Sequence, residues 1–87
     1  MNTKYKTPIL LIEDNPGDSH LVSVYLKSSS IKYELYTAES FFEGMEILGT
    51  RDIDIVLLDL SLPDISGFKT LSRYLERYPQ IPVIVLT

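Results

Sequence analysis

The sequence predicts an α/β domain: a parallel sheet with helices packed on both faces. Two observations carry this. Short runs that are apolar throughout, such as Pro8 to Ile12 and Ile55 to Leu58, end on acids or turn residues, as strands buried on both sides do. Stretches of helical period separate them, giving the order strand, helix, strand, helix, strand, helix, strand, which is repeated βαβ with right-handed crossovers.

After a polar lead-in over residues 1–7, the run PILLI reads as the first strand and, being apolar throughout, as a central one. It ends on Glu13 and Asp14, followed by the turn signal Asn15-Pro16-Gly17. A helix follows from about Pro16 to Ser28. Asn15 can cap it, Pro16 suits its first position, and Leu21, Val22, Tyr25 and Leu26 form its apolar stripe. His20, the single histidine, lies beside that stripe without a partner nearby in sequence, which fits a surface or half-buried helix position and no chemical role.

Tyr33 to Ala38 alternates and fits a shorter edge strand. Ser40 with Glu43 forms a capping box for a second helix, whose apolar face is Phe41, Met45 and Leu48 and whose end is marked by Gly49. Residues 50–54 lead into IVLL, the third strand, which stops at Asp59. Pro63 and Gly67 punctuate the loop beyond it. Ser66 can cap a third helix with Phe68, Leu71, Leu75 and Tyr78 at core spacing, Lys69, Arg73, Glu76 and Arg77 on the solvated side, and Pro79 as its stop. Ile81 to Leu86 reads as the fourth strand, ahead of Thr87.

With 87 residues, 45% of them hydrophobic, and a net charge of −4, the chain is one small globular domain with a limited core and not a disordered tail. The acidic balance and the lack of a basic stripe argue against nucleic-acid binding. No apolar run approaches the roughly 18 residues of a membrane span, and no signal peptide is read at the N-terminus. Without cysteine there is neither a disulfide framework nor a thiolate metal site. The expected setting is intracellular.

The chemistry concentrates at strand ends. Asp59 sits at the carboxyl end of a central parallel strand, where open α/β sheets bind ligands. If the first and third strands are neighbours, Glu13, Asp14 and Asp59 converge. Bare carboxylates would repel one another and be driven toward protonation. A hard divalent cation relieves this, and oxygen ligands favour Mg²⁺, which needs only one or two direct carboxylates. A metal beside an exposed Asp suits phosphoryl transfer, with Asp59 as the attacking group. Thr87, at the end of the next strand, offers a hydroxyl on the same rim; alone, a strand-ending Thr means only β propensity.

LLIEDNPGD, IVLLDLSLPDISGF and PVIVLT, in this order and spacing over nearly the whole chain, resemble the receiver domain of two-component response regulators. The resemblance implies a flavodoxin-like, three-layer αβα fold with strand order 2-1-3-4-5. It implies Asp59 as phosphoacceptor, Asp14 as direct Mg²⁺ ligand, Glu13 assisting through water, and the Ser61 backbone carbonyl as a further ligand. Thr87 would be the switch hydroxyl, and Pro63 and Gly67 would shape the loop. Glu13 stands where the family often has Asp, which should adjust only the outer coordination. The implied donor is a histidine kinase or phosphotransfer protein, and the implied setting is the cytoplasm.

Receivers continue past the threonine with a helix, a fifth strand carrying an aromatic switch residue, a loop lysine that pairs with the phosphoryl group, and a last helix. Residues 1–87 are therefore expected to form the N-terminal portion of a single receiver domain, with four strands and three helices. No lysine takes the missing role, since Lys69 falls on the third helix and the others precede the second strand. Slower phosphorylation is expected from this, with Mg²⁺ affinity better preserved. An exposed, apolar fourth strand and an uncovered sheet face would favour a homo-oligomer.

An interaction or oligomerisation module that keeps the fold without the switch is the competing function. Stand-alone enzymes fit poorly: there is no G-x-x-x-x-G-K-[ST], no G-x-G-x-x-G after the first strand, and Ser61 stands where an Asp-nucleophile phosphatase wants an acid.

Overall fold

A computed structural model describes residues 5–65 and 67–86. Four strands, β1 (Thr7–Ile12), β2 (Tyr33–Ala38), β3 (Ile55–Leu58) and β4 (Val83–Val85), alternate with three helices, α1 (Pro16–Ser28), α2 (Phe41–Thr50) and α3 (Phe68–Arg77). The strands form one parallel sheet in the order β2-β1-β3-β4. The two apolar runs that end on acids are thus the two inner strands, side by side, with Ile12 opposite Leu58.

One face of the sheet holds the main core. Leu10, Ile12, Ala38, Val56 and Leu58 pack there with Phe41 and Leu48 of α2 and Tyr74 of α3, joined by Ile53 and Leu62 from the segments flanking β3. On the opposite face Ile9 and Leu11 are also buried, and α1 lies alongside them over Leu35 and Thr37. Each fully buried aliphatic side chain is worth about 1.5–3 kcal/mol relative to exposure. The inner strands are therefore the rigid base on which the rim acids stand.

Several sequence expectations need correction. β2 is an edge strand but not a short one, since all six residues pair with β1. Val56 and Leu58 are fully buried, whereas Ile55 and Leu57 are only half-buried, so β3 is closed on one face and partly open on the other. β4 is shorter than the apolar run that contains it, because Pro82 has no N–H to donate. Its carbonyl still accepts from Val56 (3.0 Å), and Leu86 N–H continues the pairing to the Leu58 carbonyl (2.9 Å).

The helices show why hydropathy alone misplaces a face. Leu21 and Tyr25 of α1 are exposed, and the side turned to the sheet is Ser19, Val22, Ser23 and Leu26, with two serines on it. In α3, Phe68 (81% exposed) and Leu75 point to solvent, while Thr70 and Tyr74 are fully buried and Leu71 and Tyr78 half-buried. The Tyr74 hydroxyl satisfies itself by donating to the Ile81 carbonyl at 2.8 Å. Lys69, Arg73, Glu76 and Arg77 are exposed as expected, and α3 closes at Tyr78 ahead of Pro79.

Helix α2 runs through Gly49 to Thr50, so that glycine is not its terminus. The glycine that matters is Gly44: a Cβ there would collide with the Ile12 side chain, so its absence lets α2 press onto β1 directly beneath Glu13. Ser66 lies outside the described residues. The cap position of α3 is Gly67, at φ +61°, a conformation suited to glycine and without a side chain to cap the helix.

Candidate functional site

The site is built where β1 and β3 end. Ile12 and Leu58 are register partners, so the residues after them, Glu13 and Asp59, emerge side by side. Backbone bonds hold both: Glu13 N–H donates to the Ala38 carbonyl of β2 (2.9 Å) and Asp59 N–H to the Ile12 carbonyl of β1 (3.0 Å). Glu13 and Asp59 are buried, at 6% and 4% exposure, so Asp59 is not the exposed acid the sequence suggests, because the loop after β3 folds back over it; Asp14 is exposed at the mouth. Carboxylate oxygens of Glu13, Asp14 and Asp59 all lie within 4.8 Å of one another, so the three predicted acids are brought together.

Local chain geometry fixes each acid. The Glu13 carboxylate accepts the Asn15 N–H at 3.2 Å, and Asn15 in turn caps α1 by accepting from Gly17 (2.8 Å) and Asp18 (3.1 Å). The turn after β1 therefore anchors both the helix and the buried acid. Asp59 Oδ1 accepts the Ser61 N–H at 3.1 Å, folding the loop after β3 back over its own carboxylate. Gly67 N–H closes that loop on the Leu60 carbonyl at 2.9 Å, and Leu62 is buried in the core. Pro63 is an exposed loop residue. Thr87 lies outside the described residues.

The crowding has an electrostatic consequence. The Glu13 carboxyl is pushed up to about 7. Desolvation is the main cause, the Asn15 N–H pulls it partly back, and hydrogen bonding to Asp59 and the charges of Asp59 and Asp18 push it further up. Near neutrality the bare cluster holds on to a proton that ordinary glutamates have lost. A cation could replace it. Two oxygens bound to one Mg²⁺ at about 2.1 Å are at most about 4.2 Å apart. Oxygens gathered within 4.8 Å are close enough to share one such ion.

One functional neighbour is not foreseen by the sequence. Asp64 reaches from the loop after β3 to the start of α2, where its two carboxylate oxygens accept the N–H groups of Phe41 and Phe42, both at 2.9 Å. Desolvation would raise its pKa, but these bonds, with that of its own N–H, hold it below the ordinary carboxylate value. Ser40 completes the cap by accepting from Glu43 N–H (3.1 Å). The Glu43 side chain accepts from Glu39 N–H (2.8 Å) and not from Ser40, so the expected capping box is displaced by one residue. The partners of Asp64 are 22 and 23 residues away in sequence, which is why no local pattern announces it.

His20 is exposed, on a shallow groove it shares with Glu13, Asp14, Ser19 and Glu39. No helix among the described residues is long and apolar enough to cross a membrane.

Residues 9–87 match the family described as the response regulator receiver domain. The cell cycle response regulator CtrA of Brucella ovis is 35% identical over 79 residues, which make up 91% of this chain and 33% of that protein. Among solved structures, the bacteriophytochrome response regulator AtBRR aligns over 95% of this chain and 67% of its own, at a TM-score of 0.84 and 32% identity. The Mn²⁺-bound form of response regulator Rcp1 aligns over 93% of this chain and 65% of its own, at 0.81 and 34%. The chain spans about a third of the length of the curated relatives it matches.

Proposed function

This chain belongs to the response regulator receiver domain family, and we propose that it serves that family's signalling chemistry by accepting a phosphoryl group on Asp59 from a histidine kinase or phosphotransfer protein, in the cytoplasm. The observation that carries the proposal is the gathering of Glu13, Asp14 and Asp59 oxygens at the carboxyl ends of two adjacent parallel strands. In the step proposed, an Asp59 oxygen attacks phosphorus and the O–P bond forms as the P–N bond of a phosphohistidine breaks. The bonding pair goes to the imidazole nitrogen, and the product is an aspartyl phosphate.

Asp14 and Asp59, with Glu13 through water and the Ser61 carbonyl, would hold Mg²⁺. When bound, the ion neutralises charge on the transferred group and the leaving atom. Asp14, exposed at the mouth, would hold the ion on the solvent side of the site. The Ser61 N–H on Asp59 Oδ1 restrains the carboxylate that makes the attack. Thr87 is proposed as the hydroxyl that follows the phosphoryl group. The solved Mn²⁺-bound Rcp1 supports a divalent ion as the companion of this chemistry. The test is transfer of labelled phosphate from a phosphohistidine donor in Mg²⁺ and in chelator. Label that survives neutral pH but is released by hydroxylamine, only when Mg²⁺ is present, is expected.

A second activity is favoured by a separate observation. Ile84 and Val85 of the outer strand β4 are 49% and 41% exposed, beside the half-open Leu57. We propose that this apolar edge and face associate two copies of the chain. Ile84→Lys is expected to shift the elution of the chain on a sizing column to that of a monomer; an unchanged elution volume would exclude that surface.

A further inference from the structure

We propose that Asp64 is a positioning residue for the rim: its carboxylate fixes the loop carrying Asp59 and Ser61 against the start of α2. The inference rests on the metal-dependent phosphoacceptor function proposed above. The loop from Asp59 to Gly67 is held at its ends by Ser61 N–H on Asp59 and Gly67 N–H on Leu60, and by the buried Leu62. Beyond Leu62, Asp64 supplies its described hydrogen bonds to another element, and it supplies two.

Those bonds close a circuit. Going round the site, Asp59 N–H bonds to the carbonyl of Ile12, and the next residue, Glu13, bonds through its N–H to Ala38. The chain then runs through Glu39 and Ser40 to Phe41 and Phe42, whose N–H groups return to Asp64 and so to the loop and Ser61. Every acid of the cluster is joined to the next through this circuit or through the turn at Asn15. Asp64 is where it crosses between segments far apart in sequence. A carboxylate suits that position because it accepts two N–H groups at once and carries charge opposite to the positive end of α2. It also stays ionised there, since those bonds depress its pKa. Partners hydrogen-bonded to metal ligands commonly alter metal affinity 10- to 100-fold when removed, and Asp64, which acts one step further out through the loop, is expected at the lower end.

The experiment is calorimetric titration of Mg²⁺ into the wild-type chain, Asp64→Ala, Asp64→Asn and Ser40→Ala. Amide hydrogen exchange is measured on the same four proteins without metal. Asp64→Ala is expected to weaken Mg²⁺ binding about tenfold and to speed exchange at Ser61 and Gly67. Asp64→Asn, which keeps one acceptor oxygen, should fall between it and the wild type, and carries the test if the alanine variant does not fold. Ser40→Ala loosens the same helix end without touching the loop. It should lower the melting temperature yet leave Mg²⁺ affinity and loop exchange unchanged. Equal Mg²⁺ affinity in wild type and both Asp64 variants overturns the inference while leaving the function intact. Equal losses in Ser40→Ala and Asp64→Ala also overturn it, reducing Asp64 to a helix cap. Absence of Mg²⁺ binding by the wild type overturns the proposed function and this inference with it.

Discussion

Replacing Glu13 with Gln should stabilise the metal-free protein, although Glu13 is proposed to help hold the metal. The Glu13 carboxyl is raised from 4.5 to about 7, chiefly by desolvation, so the folded chain binds a proton that the unfolded chain has released. By linkage, stability associated with the protonated acid is fully present below about pH 4.5 and is lost as pH rises through about 7. Above both values the penalty is about 3 kcal/mol, and because Asp59 shares in the repulsion we expect the substitution to recover about 1–3 kcal/mol of it. Gln has the shape of the protonated acid and keeps an oxygen for the Asn15 N–H.

Thermal melts in chelator at about pH 8 are expected to place the variant at least about 4 °C above wild type. The gap should shrink to less than half by about pH 5.5, where Glu13 is protonated in the folded state. Saturating Mg²⁺ should reverse the order, since the ion stabilises the chain that binds it more tightly. A variant that melts at or below wild type in chelator at pH 8 would refute the reasoning: the three acids would then not be electrostatically crowded, and no cation would be needed to relieve them.

Other predictions follow from the core. Thr70 is fully buried on α3, and its hydroxyl has no hydrogen-bond partner among the described residues. Thr70→Val should therefore stabilise by about 1–2 kcal/mol, read as a higher denaturant midpoint with an unchanged slope; a loss of stability would show that the hydroxyl is satisfied. Gly44→Ala should destabilise by about 1–3 kcal/mol despite the better helix propensity of alanine, because the new Cβ meets Ile12. Ile12→Val should lessen that cost in the double variant, and additive losses in a double-mutant cycle would contradict the clash.

What is legible in the sequence is what depends on neighbours in the chain. The runs Pro8–Ile12 and Ile55–Leu58 announce inner strands because each is apolar at successive positions, and the acids that end them announce the site. Asn15 announces the α1 cap because its partners are two and three residues away. The half-buried side of α1 and the buried face of α3 are read only in part from hydropathy: Val22 and Leu26 lie where expected, but Ser19, Ser23, Thr70 and Tyr74 share those sides while Leu21, Tyr25, Phe68 and Leu75 face solvent. Small or hydroxyl-bearing residues can sit against a sheet where space is limited, and hydropathy does not record space. Gly44 and Asp64 are illegible for a different reason. Each acts on a partner in another element, Ile12 and the start of α2, and only the folded register brings them together.

The most direct measurement is the intact mass of the chain after incubation with a small-molecule phosphodonor and Mg²⁺, with Asp59→Asn beside it and chelator as the control. A single phosphoryl adduct on wild type, absent from Asp59→Asn and absent in chelator, is the predicted result. An adduct of equal yield on Asp59→Asn, or no adduct on a folded wild-type chain that binds Mg²⁺, would contradict Asp59 as the phosphoacceptor.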